Sequence, residues 1–311
     1  MRTFFLGALL GLTLAGCESK PAPPAPAASA SSAAPAPSGS AAVETYGVQV
    51  VIPGDAKRVV DAVNPKHEKP YAGPKGTLKG RVRIEGDPPP DTNLKFPPNC
   101  KEAQATYAKL FRVGLDNALA DAMVAVTGYD GFVPAAGPAA KAPIRGCAVN
   151  KRTVVMTYGQ RLEVANLDKL DSYVPFLDGA PSRAGMVAVP GGEAVKLYPP
   201  EPGHYMIRDT MPSGLVADVF VLKYATHDVT GLDGQYEIKD IPVGKVQVNV
   251  FLPVLNKSQG QAFEVKEGDN TLDITFKFDA KKDVPGAAPA GSGSASAKPA
   301  APPPDAPKVP R

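Results

Sequence analysis

Pro202-Gly203-His204-Tyr205-Met206-Ile207-Arg208-Asp209-Thr210-Met211-Pro212-Ser213-Gly214-Leu215-Val216-Ala217-Asp218-Val219-Phe220-Val221-Leu222 is the stretch on which the fold is decided. Gly203 reads as a turn glycine and Tyr205 as a buried strand tyrosine, while Met206 and Ile207 sit at strand spacing. The stretch therefore predicts two β-strands, His204–Arg208 and Val216–Leu222, joined by a loop over Asp209–Gly214.

Working outward, further short strands are expected at Ala122–Thr127, Thr153–Thr157, Arg161–Asn166, Met186–Val189 and Ala194–Tyr198. The breaks between them carry turn residues such as Asp130-Gly131, Pro190-Gly191-Gly192 and Pro202-Gly203. Many short strands with this punctuation predict an all-β protein built as a sandwich. Leu78–Ile84 alternates cleanly, with Lys79, Arg81 and Arg83 on a solvated sheet face. Tyr46–Ile52 reads as one more strand, and Lys57–Val63 as one or two helical turns. Asn99-Cys100-Lys101-Glu102 has the form of a capping box. It opens a single short helix, Lys101–Arg112, with Ala103, Tyr107, Leu110 and Phe111 on its core side.

The run Gly203–Asp209 resembles the G-x-Y-x-x-x-C segment that leads into the copper loop of cupredoxins. Asn166–Val174 is similar to the N-x-D-x-x-x-H-N-V run that supplies an earlier histidine in that family. A blue-copper centre takes a thiolate, two imidazoles and a weak thioether. Here Asp209 stands at the Cys position, Pro212 where a C-x-x-H pattern places His, and Ser172 at the earlier His slot. The resemblance, over Gly76–Leu222, implies a cupredoxin-like β-sandwich with no copper site and no cofactor. A non-standard metal site around His204, Met206, Asp209 and Met211 is the alternative.

Val229-Thr230-Gly231-Leu232-Asp233-Gly234-Gln235-Tyr236-Glu237-Ile238, followed by Ile241-Pro242-Val243-Gly244-Lys245-Val246, resembles the signature of carboxypeptidase regulatory-like (transthyretin-like) domains. Asp233-Gly234 makes the hairpin turn, and Tyr236 and Ile238 face the core. Val246, Val248 and Val250 alternate inward, and Ala262–Val265 and Leu272–Phe278 complete a small second sandwich. Val216–Leu222 is compatible with either sandwich, and Gly76–Ile84 with the first strand of the second.

The chain starts with a basic Met1-Arg2, an apolar run Phe4–Leu14 and Leu14-Ala15-Gly16-Cys17, which resembles a bacterial lipobox. That likeness implies a lipoprotein signal peptide and lipidation of Cys17. With Glu18 next, it implies outer-membrane anchoring on the periplasmic side of the cell envelope. The expected organisation is a signal peptide (1–17), a disordered low-complexity Pro/Ala/Ser linker (18–43) and an N-terminal extension (44–75). The cupredoxin-like sandwich (76–224), the regulatory-like sandwich (225–280) and a disordered Pro/Ala-rich tail (281–311) follow. Cys100 and Cys147 remain, read as a disulfide in an oxidising compartment or as two buried thiols.

A net charge of +3 from 34 basic and 31 acidic residues argues against a nucleic-acid surface. The three histidines, His67, His204 and His227, have no metalloenzyme spacing, and no phosphate loop or G-x-S-x-G is present. The expectation is a non-catalytic binding or scaffold module, held to the membrane by Cys17, for an unknown envelope protein or glycan. Tyr173, Arg208 and Met211, near the vacated loop, are its candidate contact surface, and glycan binding by the second sandwich is a further alternative.

Overall fold

The computed structural model describes residues 45–48, 50, 56–181, 185–211 and 214–284, all within one compact unit, Val43–Arg311. The lipobox with Cys17, the linker and the tail from residue 285 onward lie outside the described residues. The protein is all-β, with two stacked pairs of sheets and three short helices among the described residues.

The chain opens the first sandwich with β1 (Lys75–Gly86) and β2 (Met123–Thr127), leaves it, and returns to complete it. The excursion holds β3 (Ala139–Lys141), β4 (Ile144–Arg145), β5 (Ala148–Val149), β6 (Thr153–Thr157) and β7 (Arg161–Val164). It continues through β8 (Pro175–Asp178), β9 (Val195–Leu197), β10 (Gly203–Asp209) and β11 (Val216–Leu222). The return brings β12 (His227–Val229), β13 (Gln235–Pro242), β14 (Gly244–Leu252), β15 (Lys257–Val265), β16 (Gly268–Thr271) and β17 (Ile274–Phe278).

One sheet of this split sandwich runs β13-β1-β16, with β17 also on β1, and the other runs β12-β2-β14-β15. Leu78, Val82, Tyr236, Ile238, Val248, Val250 and Phe276 fill the space between them. The alternation read along β13 and β14 is the buried face of this core. The break expected between residues 224 and 225 does not divide the sheets. β1 pairs with β13 antiparallel and with β16 and β17 in parallel, and β2 pairs with β14. Gly80 permits the crossing from β16 to β17, because a Cβ there would stand 1.9 Å from the Leu272 carbonyl oxygen.

The central sandwich stacks sheet β6-β11-β10-β8 on sheet β3-β7-β9. Its core holds Met156, Leu162, Tyr173, Tyr205, Ile207 and Val219. Helix α1 (Ala56–Val63) closes it by burying Val59, Val60 and Val63. Within the expected strand Tyr46–Ile52, the described residues form a turn instead, with Tyr46 and Gly47 left-handed and Val48 N–H donating to Thr45 O. Met186–Val189 makes one bridge, Tyr173 to Ala188, in place of a strand.

A disulfide joins Cys100 to Cys147, with Cα atoms 5.1 Å apart. It fixes helix α2 (Lys101–Tyr107) to the turn between β4 and β5. The capping box does not form. Cys100 is the N-cap without a side-chain bond, Ala103 N–H donates to Gly146 O, and Asn99 donates to Asp171 instead. The helix also ends at Tyr107 rather than Arg112. Beyond it Lys109 pairs with Asp91 at 2.9 Å, and Leu110 N–H donates to Pro90 O. At the other end, helix α3 (Ala280–Asp283) extends order past residue 281, where a disordered tail was expected to begin.

The two sandwiches meet through Phe220 against Phe251, edge to face at 5.6 Å, while Tyr107 Oη, donating to Val216 O, fastens α2 to the central sandwich. A buried ion pair lies at the same junction. Arg112 grips both carboxylate oxygens of Asp121, and Asp121 also accepts from Arg152 N–H.

Candidate functional site

The β10–β11 hairpin presents the loop on which the sequence reading turned. Tyr205 and Ile207 point into the core, and His204 and Arg208 point out. Asp209, at the position of the cupredoxin thiolate, braces backbone: one carboxylate oxygen accepts from Val174 N–H at 2.8 Å and from Met211 N–H at 3.1 Å. Its other oxygen is buried, with no hydrogen-bond partner among the described residues. These bonds place Asp171–Pro175 beside Asp209–Met211, the described first half of the loop expected there from the sequence.

The three candidate contact residues do not share one surface. Tyr173 is 1% exposed and belongs to the central core. Its hydroxyl donates to Asp168 at 2.5 Å, and burial and that carboxylate together push the phenol's pKa well above its ordinary value. Truncating it opens a core cavity, so Tyr173 is removed from the contact surface. Arg208 is exposed but paired with Asp178 at 2.8 Å. Met211 is exposed.

The alternative metal site is not assembled. His204 and Asp209 lie at opposite ends of β10, five residues or about 16 Å apart at the strand rise, on opposite faces. His204 hydrogen-bonds Asp218 at 2.8 Å and stacks on Phe220. Among the described residues no three His, Cys, Asp or Glu side chains gather as a ligand set. The carboxylate pairs have local partners: Asp168 holds Gly146 N–H and Tyr173, Asp171 accepts from Asn99, and Glu201 meets Arg58.

What the loop end offers is apolar. Leu167, Leu170, Met186, Val187, Val189 and Met211 are all exposed, Leu170 at 89%. They sit on three loops that are bonded to one another. Asn166 donates to Asp171 O and Ala188 O, Tyr173 and Ala188 exchange backbone bonds, and Thr210 N–H donates to Val174 O. Aliphatic side chains on a braced frame have the character of a contact surface. Such residues inside polar loop sequence, as in Leu167-Asp168-Lys169-Leu170, were the signal available and unused.

The cations of β1 behave differently from a free basic stripe. They line a cleft of about 650 Å³ with Glu237 and Asp273. Lys79 pairs with Asp269 and Glu237, and Arg83 with Asp273, so the cleft largely neutralises itself.

His227 serves the junction. Thr157 Oγ1 lies 3.1 Å from His227 Nε2 and 3.3 Å from Tyr224 O, joining β6 to β12. Burial lowers the imidazole pKa from 6.5 to about 4. The unfolded chain then binds a proton that the folded chain refuses. His227 thus leaves stability intact above pH 6.5 and removes it as pH falls towards about 4. The full effect is at most about 3 kcal/mol. Urea midpoints at pH 7.5 and 4.5 should differ less for His227→Gln than for the natural chain. Equal acid sensitivity in both would show that another group governs this window.

Comparison of the chain with family models, with curated proteins and with solved structures finds no match in any of the three.

Proposed function

We propose that the chain is a non-catalytic, lipid-anchored binding module of the bacterial cell envelope, tethered through Cys17 to the outer membrane on its periplasmic side. In this reading the central sandwich is cupredoxin-like without a copper site, and the split sandwich is regulatory-like. The module holds a protein partner against the apolar end of the central sandwich.

The observation that carries the reading is the set of aliphatic side chains on interbonded loops. The six exposed apolar side chains of this rim are aliphatic or methionine, whereas a glycan is met by aromatic faces, so a protein fits it better. Met186 and Met211 add an adaptable apolar surface of the kind used in protein contacts. The buried orientation of Asp209 and Asp168 toward backbone supports a structural rather than a chemical role for the loop carboxylates.

The test is a photo-crosslinker at Lys169, exposed on the rim, in cells making the full chain. A discrete protein adduct is expected there and not at Leu115, exposed elsewhere. Leu170→Asp with Met211→Asp should abolish it without moving the thermal midpoint. An adduct with lipid alone would place the loop end on the membrane and sink the protein-contact reading. Separately, Cys17→Ser should shift the chain from the membrane fraction to the soluble periplasm.

A further inference from the structure

β15 differs from every other sheet edge among the described residues. It pairs with β14 along its whole length, Gly244 to Val265 through Leu252 to Lys257, with no shift in register. On its far side no further strand is bonded among the described residues. Proteins protect such edges by keeping them short, charging them, inserting Pro or bulging them. The other edges follow these rules: β4 and β5 have two residues each, β3, β9 and β12 have three, β8 has four beginning with Pro175, β16 has four including Asp269, and β17 has five including Lys277. β13 carries Glu237, Lys239 and Asp240 and ends in Pro242, and β6 is almost wholly buried. β15 is nine residues long, has no Pro, and is uncharged over Ser258-Gln259-Gly260-Gln261-Ala262-Phe263.

We infer that β15 pairs edge to edge with β15 of a second copy of this chain, antiparallel about a two-fold axis. Alternate peptide groups of an edge strand point away from their only neighbour, so the outer side offers a ready ladder of donors and acceptors. A second copy brings no like charge against the uncharged centre. Ser258, Gly260 and Ala262, on the face away from the core, are small and exposed and do not obstruct a neighbour. A second β15 is also already extended, whereas a flexible peptide must first lose conformational entropy.

The size of the contact sets its strength. Nine residues span about 30 Å, and a sheet edge about 10 Å thick gives roughly 300 Å² per copy. A stable interface needs about 800 Å² per partner. The pairing is therefore an exchanging one that depends on local concentration. A tether to the membrane, if Cys17 is lipidated as proposed above, raises that concentration. The pairing itself does not depend on the loop-end contact.

The experiment uses the full chain in intact cells, with single substitutions Gln259→Cys, Gln261→Cys and Ala262→Cys, and Lys239→Cys on β13 as the control. Cys100 and Cys147 are bonded to each other, so among the described residues the new thiol is the free one. A short bis-maleimide should give a homodimer at the β15 positions and none at Lys239. Adding Ala262→Lys to Gln261→Cys should cut the crosslinked fraction about tenfold by placing like charges across the axis. The thermal midpoint should not change. Thiols that react with a monofunctional maleimide yet yield no homodimer would overturn the inference, and so would adducts formed solely with other proteins.

Discussion

Asp121→Ala is expected to destabilise the chain by about 3–5 kcal/mol, because it strands a buried guanidinium. The Asp121 side chain is 6% exposed and that of Arg112 11%, and they meet at 2.6 Å. The carboxylate accepts from Arg112 Nε and Nη2 and from Arg152 N–H, and Arg112 Nη2 also reaches Asn150 O at 3.2 Å. Asp121 N–H donates to Thr230 O. Through its carboxylate and its own N–H, one residue thereby ties together the segment after α2, the entry to β2, the entry to β6 and the exit from β12. These are the places where the chain passes between its two cores. Asp121 also has φ +64, which Asn tolerates and Ala does not. Asp121→Asn keeps the backbone preference and the acceptor for Arg152, so it should cost less than Asp121→Ala. Arg112→Met combined with Asp121→Asn removes the stranded charge, and its urea midpoint should recover part of what Asp121→Ala loses. If the double variant is no more stable than Asp121→Ala, packing rather than the unpaired charge sets the cost.

The same junction marks the limit of what the residues revealed in sequence. The hairpin around Asp233-Gly234 and the inward Val246, Val248 and Val250 were legible because turn chemistry and period-two alternation are local. Thr153–Thr157 and Val216–Leu222 were legible for the same reason. That β1 belongs with strands nearly two hundred residues later is a non-local pairing, which no periodicity records; the sequence offered it only as an alternative, Gly76–Ile84 as the first strand of the second sandwich. The helix after Cys100 was overextended because its end is set by Asp91 and Pro90, partners outside the helical pattern. β15 was found only at Ala262–Val265, since its first half is polar and exposed and carries no apolar alternation. At the site, the closeness of Asp171–Pro175 to Asp209–Met211 was foreseen, but the fate of Tyr173 was not. A tyrosine in a polar loop looks exposed until the carboxylate that receives its hydroxyl, Asp168, is seen beneath it.

Opening the Cys100–Cys147 bond, by Cys100→Ser with Cys147→Ser, is expected to cost about 4 kcal/mol in the chain-entropy account of a closed loop of this size. The two cysteines are 47 residues apart, and the loop between them contains α2 and β2 to β4. The loss should extend beyond the unfolded state. The bond holds α2 against the turn at Gly146, whose N–H donates to Asp168, and Asp168 receives the Tyr173 hydroxyl beneath the apolar loops. Loosening that chain of contacts should weaken the adduct formed from Lys169 as well as lower the urea midpoint. Both sulfur-bearing residues are at most 4% exposed, so a reductant should act at the rate of unfolding and not of solvent access. Thiol titration should find neither cysteine reactive in the folded chain and both after reduction in denaturant. An unchanged midpoint in the double variant would mean that the hydrogen bonds around Gly146 position α2 without the covalent link. A lower midpoint with an undiminished adduct would separate the stability of the fold from the shape of its loop end.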